Sequence, residues 1–179
     1  MHSNFQTCLN FVLQDEGGDT VDDGGPTSRG VTQATYNRWC ATHGLPVDSV
    51  FDASDSTVAQ IYYQYYWLPY CDPLPKGEDY LLFDMNVNMG GRQATILLQR
   101  ALGVADDGIF GPKTMAAAMG ADVNTLLPAI TAQKVAFYRE VVLEHPSDSA
   151  YYQGWLNRVE AVQARIPTIE LRALKMMRT

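Results

Sequence analysis

Glu16 closes an apolar, helix-like run (Phe5, Cys8, Leu9, Val12, Leu13). A glycine-rich acidic turn follows it at once, Gly17-Gly18-Asp19-Thr20-Val21-Asp22-Asp23-Gly24-Gly25-Pro26-Thr27. A carboxyl at the root of such a turn stands half against an apolar wall and half in a cleft. That setting raises a glutamate's pKa, as proton donation to a leaving group at neutral pH requires. Glycines there let a ligand lie close to the backbone. A helix end with a glycine stop and a solvated acidic loop accounts for the same residues, and this segment alone leaves both readings open.

Three further groups of residues have types and spacings that suit chemistry. Asp19, Asp22 and Asp23 suggest a calcium loop. An EF-hand starting at Asp19 needs an acceptor at its third position and glutamate at its twelfth, where this chain has Val21 and Gly30. Tyr62-Tyr63-Gln64-Tyr65-Tyr66-Trp67 offers aromatic faces for sugars, but six consecutive helical residues point all round, so core packing is the competing reading for each of them, as for Trp39 and Trp155. Asp84, Asn86 and Asn88 interrupt an apolar helix, and Asp84 and Asn88, four apart, share a face. They form either a cleft wall or a satisfied internal network.

The elements that must position these groups are mostly helical. The apolar periodicity and capping residues predict a helix over about residues 3 to 16, then a glycine-rich loop to Gly30 with a hairpin within residues 17 to 31. A second helix starts with Thr32 as N-cap and closes at Gly44 and Pro46. A third is capped by Ser54 or Ser56 and runs through Tyr66. Pro69, Pro73 and Pro75 mark a connector. One long buried helix is expected over residues 79 to 102, with Gly90-Gly91 marking a break or close packing, and a short one over Lys113 to Met119. Two more cover about 123 to 144 and 148 to 165, before an amphipathic tail after Pro167. In that tail Leu171, Leu174 and Met177 share a face, either packed or touching an anionic membrane.

The chain has 179 residues, 46% apolar and 18% charged, a globular composition. Its net charge of −7, from 13 basic and 20 acidic side chains, argues against a sequence-independent nucleic-acid binder. Cys8, Cys40 and Cys71 are odd in number and lack metal-ligand spacing, so they read as reduced, buried thiols. His2, His43 and His145 fit no zinc motif. No metal and no cofactor is expected. No apolar run is long enough to cross a bilayer, and the N-terminus lacks the basic region of a Sec signal peptide.

Taken in order, these pieces resemble the glycoside hydrolase family 108 lysozymes. The family's Glu-Gly-Gly is matched by Glu16-Gly17-Gly18, its Gly-Gly-x-Thr by Gly24-Gly25-Pro26-Thr27, and its Gly-Ile-Thr by Gly30-Val31-Thr32. Its Ile-Tyr…Tyr-Trp appears as Ile61-Tyr62 and Tyr66-Trp67, and its Leu-Pro-x-Gly as Leu74-Pro75-Lys76-Gly77. The family's peptidoglycan-binding region is matched by Phe83-Asp84-Met85-Asn86-Val87-Asn88-Met89-Gly90, by Leu98-Gln99-Arg100-Ala101-Leu102-Gly103 and by Asp107-Gly108-Ile109-Phe110-Gly111-Pro112-Lys113-Thr114. The family loop runs a few residues longer, and its Asp-Pro is replaced by Asp22-Asp23, so either aspartate is a candidate for the loop carboxylate.

The resemblance implies a mainly α, lysozyme-like α+β fold: a helical bundle with a small glycine-rich loop or hairpin after the first helix. Residues 1–82 would be the catalytic region and residues 83–179 a helical peptidoglycan-binding region packed with it. It implies hydrolysis of the β-1,4 bond between N-acetylmuramic acid and N-acetylglucosamine. Glu16 would be the general acid, Asp22 or Asp23 with Thr27 the second group, and Asp84, Asn88 and Tyr66 the substrate contacts. The expected partners are peptidoglycan glycan strands, with no nucleic acid and no stable membrane insertion. A monomeric phage endolysin, made in the host cytoplasm and released through a holin, fits that picture. A non-catalytic wall-binding or secretion-associated protein of the same fold, and a chitinase- or chitosanase-like hydrolase, are the alternatives.

Overall fold

The computed structural model describes residues 4–22 and 25–176. These form a mainly α, lysozyme-like protein with one small sheet, in two compact units: Phe5–Pro69, and Asn4 with the chain from Tyr70 onward.

In the first unit, helix α1 (Phe5–Asp15) buries Cys8, Leu9 and Val12, one apolar stripe at helical spacing. Strands β1 (Thr20–Asp22), β2 (Gly25–Ser28) and β3 (Val31–Thr32) form an antiparallel sheet in that order, so the segment expected to hold a hairpin holds three strands. Thr27 on the central strand stands opposite Thr20 on one side and Thr32 on the other. The turn between β2 and β3 is two residues long. Arg29 and Gly30 both have positive φ, 49° and 76°, the geometry that matches the twist of a tight hairpin.

Helix α2 (Gln33–His43) is capped by the Thr32 hydroxyl, which accepts from the Thr35 N–H, and is stopped by left-handed Gly44. Ser54 caps α3 (Asp55–Tyr62) in the same way, accepting from the Thr57 N–H. The chain then widens into a π turn over Tyr63–Trp67, where the ring edges of Tyr63 and Trp67 meet Phe5 at 5.1 and 5.4 Å. Trp39, Tyr62 and Trp67 are core residues, and Cys8, Cys40 and Cys71 are buried free thiols.

The second unit is built around α4 (Glu78–Met89), buried on every side from Glu78 to Asn86. The expected long helix is broken at Gly90, whose φ of 82° ends α4, and α5 (Gly91–Leu102) starts afresh. A Cβ on Gly91 would lie 2.2 Å from Tyr70 Oη, so only glycine lets that ring close on the helix start. Helices α6 (Pro112–Gly120), α7 (Val123–Glu144) and α8 (Ser149–Met176) complete the unit, with α5, α7 and α8 packed on α4. Gln99 pins the turn before α6. Its Nε2 donates among Asp107 Oδ1, Thr114 Oγ1 and the Ile109 carbonyl (2.8, 3.0 and 3.2 Å), and its Oε1 accepts from the Gly108 N–H. Helix α8 runs through Pro167 instead of ending near residue 165. A proline keeps a helical φ, but it gives up its own N–H bond and crowds the carbonyl four residues before it, so packing has to offset its cost. Ile169 is buried there, and the side chains of Leu171, Leu174 and Met177 lie outside the described residues.

The first turn of α4 carries two buried carboxyls. Asp79 accepts from Asn4 Nδ2 (2.6 Å) and from the N–H groups of Gly77 and Tyr80, whereas neither oxygen of Glu78 has a hydrogen-bond partner among the described residues. Burial, reinforced by the charge of Asp79, raises Glu78 from 4.5 to about 7. Burial likewise raises Asp79 to about 6 against its hydrogen bonds and Lys76. Folding therefore holds these protons more tightly than the unfolded chain does. The resulting stability is complete below the two ordinary values, 4.5 and 3.8, and is lost as pH rises through about 6 for Asp79 and about 7 for Glu78. Thermal scans are expected to show the protein gaining roughly 1–3 kcal/mol between pH 8 and pH 5, most of it absent in Glu78→Gln. A wild-type midpoint that does not move across that range would contradict the assignment.

Candidate active site

Glu16 is the first residue beyond α1, and its N–H still bonds the Val12 carbonyl at 3.0 Å, so the helix sets where its side chain starts. That side chain is half-buried. It lies against the α-carbon of Gly30: a Cβ there would stand 3.0 Å from Glu16 Oε2, 3.1 Å from Glu16 Cγ and 2.3 Å from Tyr62 Oη. Gly30 is thus required twice, by its positive φ and by the space Glu16 and Tyr62 occupy.

The turn that carries Gly30 is fixed from α3 and the segment before it. The Tyr62 hydroxyl donates to the Arg29 carbonyl at 2.9 Å, and the Arg29 guanidinium donates to the Ala53 carbonyl at 2.5 Å and pairs with Asp55. Tyr66 lies next to Tyr62, ring centroids 5.6 Å apart, and shares a side-chain hydrogen bond with Thr35. Burial raises the Tyr66 phenol above its ordinary value, only partly offset by Arg38 and Thr35, and the negative charge of Glu16 adds to the rise. Tyr66 therefore keeps its proton at neutral pH and can hydrogen-bond a polar ligand beside Glu16.

Of the residues expected at the site, Glu16 and Tyr66 come together with Gly30. Thr27 is half-buried on the strand leading into the Arg29–Gly30 turn. Asp22 ends β1 opposite Gly25, and Asp23 lies outside the described residues. Arg29 and Tyr62 are the contributors that the sequence reading missed. Their pairing spans 33 residues and has no local signal.

Asp84 and Asn88 belong to the second unit, where both face α7. Asp84 is fully buried, with one oxygen on Lys134 Nζ at 2.5 Å and the other on Arg158 Nε at 2.8 Å. Burial alone would raise its pKa. The two cations outweigh burial and hold the carboxyl below its usual range. Of the two readings open for Asp84, the geometry favours the internal network. Asn88 is half-buried and accepts from the Tyr138 hydroxyl at 2.5 Å. Glu78, the carboxyl most strongly raised, has 1% of its surface exposed, so it does not compete with Glu16 for contact with a ligand.

No group of three or more His, Cys, Asp or Glu among the described residues is placed to hold a metal ion. No helix among them is long and apolar enough to cross a membrane. The glycosyl hydrolase 108 family model matches residues 9–90, which include Glu16, the sheet and the Tyr62–Tyr66 segment. The predicted peptidoglycan domain model matches residues 93–160, from α5 into α8. None of the curated proteins matches. Among solved structures, Brucella abortus SagA is similar over 93% of this chain and 95% of its own, with a TM-score of 0.75 and 29% identity. Residues 9–90 thus match a glycosyl hydrolase 108 domain and residues 93–160 a predicted peptidoglycan domain, a pairing that supports a hydrolase acting on peptidoglycan.

Proposed function

We propose that the protein is an N-acetylmuramidase, cleaving the β-1,4 bond from N-acetylmuramic acid to N-acetylglucosamine, with Glu16 as general acid. The observation that carries this reading is the contact of a half-buried Glu16 carboxyl with the bare α-carbon of Gly30, beside a protonated Tyr66. A half-buried carboxyl at the end of α1, held against the Gly30 backbone, is placed to meet a glycosidic oxygen. Proton donation to that oxygen lets the leaving sugar depart as an alcohol while positive charge develops on the ring carbon and oxygen. Asp22 or Asp23, with Thr27, would steady that charge or orient the attacking water. A carboxyl separation of about 5–5.5 Å would favour retention and about 6.5–9.5 Å inversion. The place of action is the cell wall, and the proposed route to it is holin-dependent release of a monomer, as for a phage endolysin.

Mass spectrometry of borohydride-reduced digests of purified peptidoglycan tests this directly. Fragments newly reduced at N-acetylmuramic acid are expected. Fragments reduced at N-acetylglucosamine would replace the bond assignment, and no fragments at all would make the chain a wall-binding protein. Chitin and chitosan digested in parallel separate the remaining hydrolase classes.

A further inference from the structure

We propose that the second unit holds a glycan contact of its own, a groove lined by Asn88, Phe137, Tyr138, Asp148 and Trp155 that takes one N-acetylated sugar of the strand. The inference rests on the reading of peptidoglycan as substrate and adds a binding place to it. The groove measures about 230 Å³, below the range of pockets that enclose drug-sized ligands. That size suits a single sugar unit of a chain that continues beyond it.

The chemistry of the lining is that of sugar recognition. Tyr138 and Trp155 stack with centroids 5.1 Å apart, and Tyr151, exposed at the helix surface, continues the ladder at 6.3 Å from Trp155. Of these rings Tyr138 and Trp155 line the groove, with Phe137, and their edges make an apolar wall for the methyl of an acetamido group. Polar groups are few and directed. The only hydrogen bond of the Tyr138 hydroxyl among the described residues is the one it donates to Asn88 Oδ1. Asn88 Nδ2, with no bond of its own among the described residues, is left as a donor for an acetamido carbonyl. Asp148, also in the lining, accepts from a sugar hydroxyl or acetamido N–H. With a net charge of −7 the chain has no general attraction to an acidic wall polymer, which leaves recognition to such local contacts.

The test uses the full chain carrying Glu16→Gln, so that binding is read without cleavage. Its probe is the tetramer of N-acetylglucosamine, compared with the tetramer of glucosamine and with a sugar-free stem peptide. The Trp155 indole and Asn88 side-chain amide resonances are expected to shift on titration with the acetylated tetramer. Asn88→Asp keeps the acceptor for Tyr138 and removes the donor. It should weaken the affinity these signals report about tenfold and erase the preference over glucosamine. Trp155→Ala should cause a similar loss, and Trp155→Phe, which retains a ring and is milder for the fold, a smaller one. The proposal is overturned if those resonances stay still while others saturate, if Asn88→Asp binds like its parent, or if only the stem peptide is bound. None of these outcomes depends on whether the wild-type chain releases muropeptides, so failure of the groove and failure of the muramidase reading are separable.

Discussion

Glu16→Gln is expected to fold like the wild type and to lose nearly all release of muropeptides. Glutamine has the shape of glutamate, so it can rest against the Gly30 α-carbon as the carboxyl does. It follows the same helix end, with its N–H on Val12. What it lacks is a transferable proton. General acid catalysis contributes roughly 10²–10⁴-fold, and departure of an unprotonated sugar alkoxide is slow enough that the upper part of that range applies. The loss should fall on kcat rather than on binding, because the amide still hydrogen-bonds the glycosidic oxygen. The checks are initial rates on purified peptidoglycan alongside a thermal midpoint. A well-folded Glu16→Gln protein with near-normal lysis would move the acid elsewhere.

The parts of the molecule readable in sequence are those governed by near neighbours. Thr32 and Ser54 bond N–H groups three residues on, Gly44 ends α2, and Gly90-Gly91 splits α4 from α5 where the break was expected. Glu16 at a helix end is legible for the same reason. The sheet was only partly legible. Its second hairpin depends on Arg29 adopting a positive φ, which the Tyr62 hydroxyl on the Arg29 carbonyl and the Arg29 guanidinium on Ala53 and Asp55 hold in place. The partners of Asp84 and Asn88 are farther still. Lys134 and Tyr138 lie 50 residues from them and Arg158 lies 74 residues from Asp84. Spacing within α4 shows that Asp84 and Asn88 share a face but not what that face meets. Lys134 sits in a buried stripe with Leu126, Ile130 and Tyr138, where periodicity alone would call for an apolar residue.

That buried ion cluster is where the largest loss of stability is expected. In Asp84→Asn the fold keeps a side chain of the same shape, but Lys134 and Arg158 lose the carboxylate that they share. Lys134 has 1% of its side chain exposed and Arg158 11%, so water cannot replace the carboxylate. Breaking one partner of such a cluster destabilises by about 3–5 kcal/mol, which for a chain of this length lowers the thermal midpoint by roughly 10 °C. Replacing all three residues together, Asp84→Leu with Lys134→Met and Arg158→Leu, removes both the charges and their desolvation, and should restore much of the loss. The pH profile gives an independent sign. The folded pKa of Asp84 lies below its ordinary 3.8, so its contribution is complete above that value and disappears as pH falls through the folded pKa. Glu78 acts in the opposite direction, weakening the fold as pH rises towards 7. The wild type should therefore be most stable on the acid side of neutrality, between these limits. Asp84→Asn should lower the whole curve and flatten its acid limb, while leaving intact the decline towards pH 8. An Asp84→Asn midpoint within a degree or so of the wild type would mean that the cluster does not hold α4, α7 and α8 together as its geometry implies.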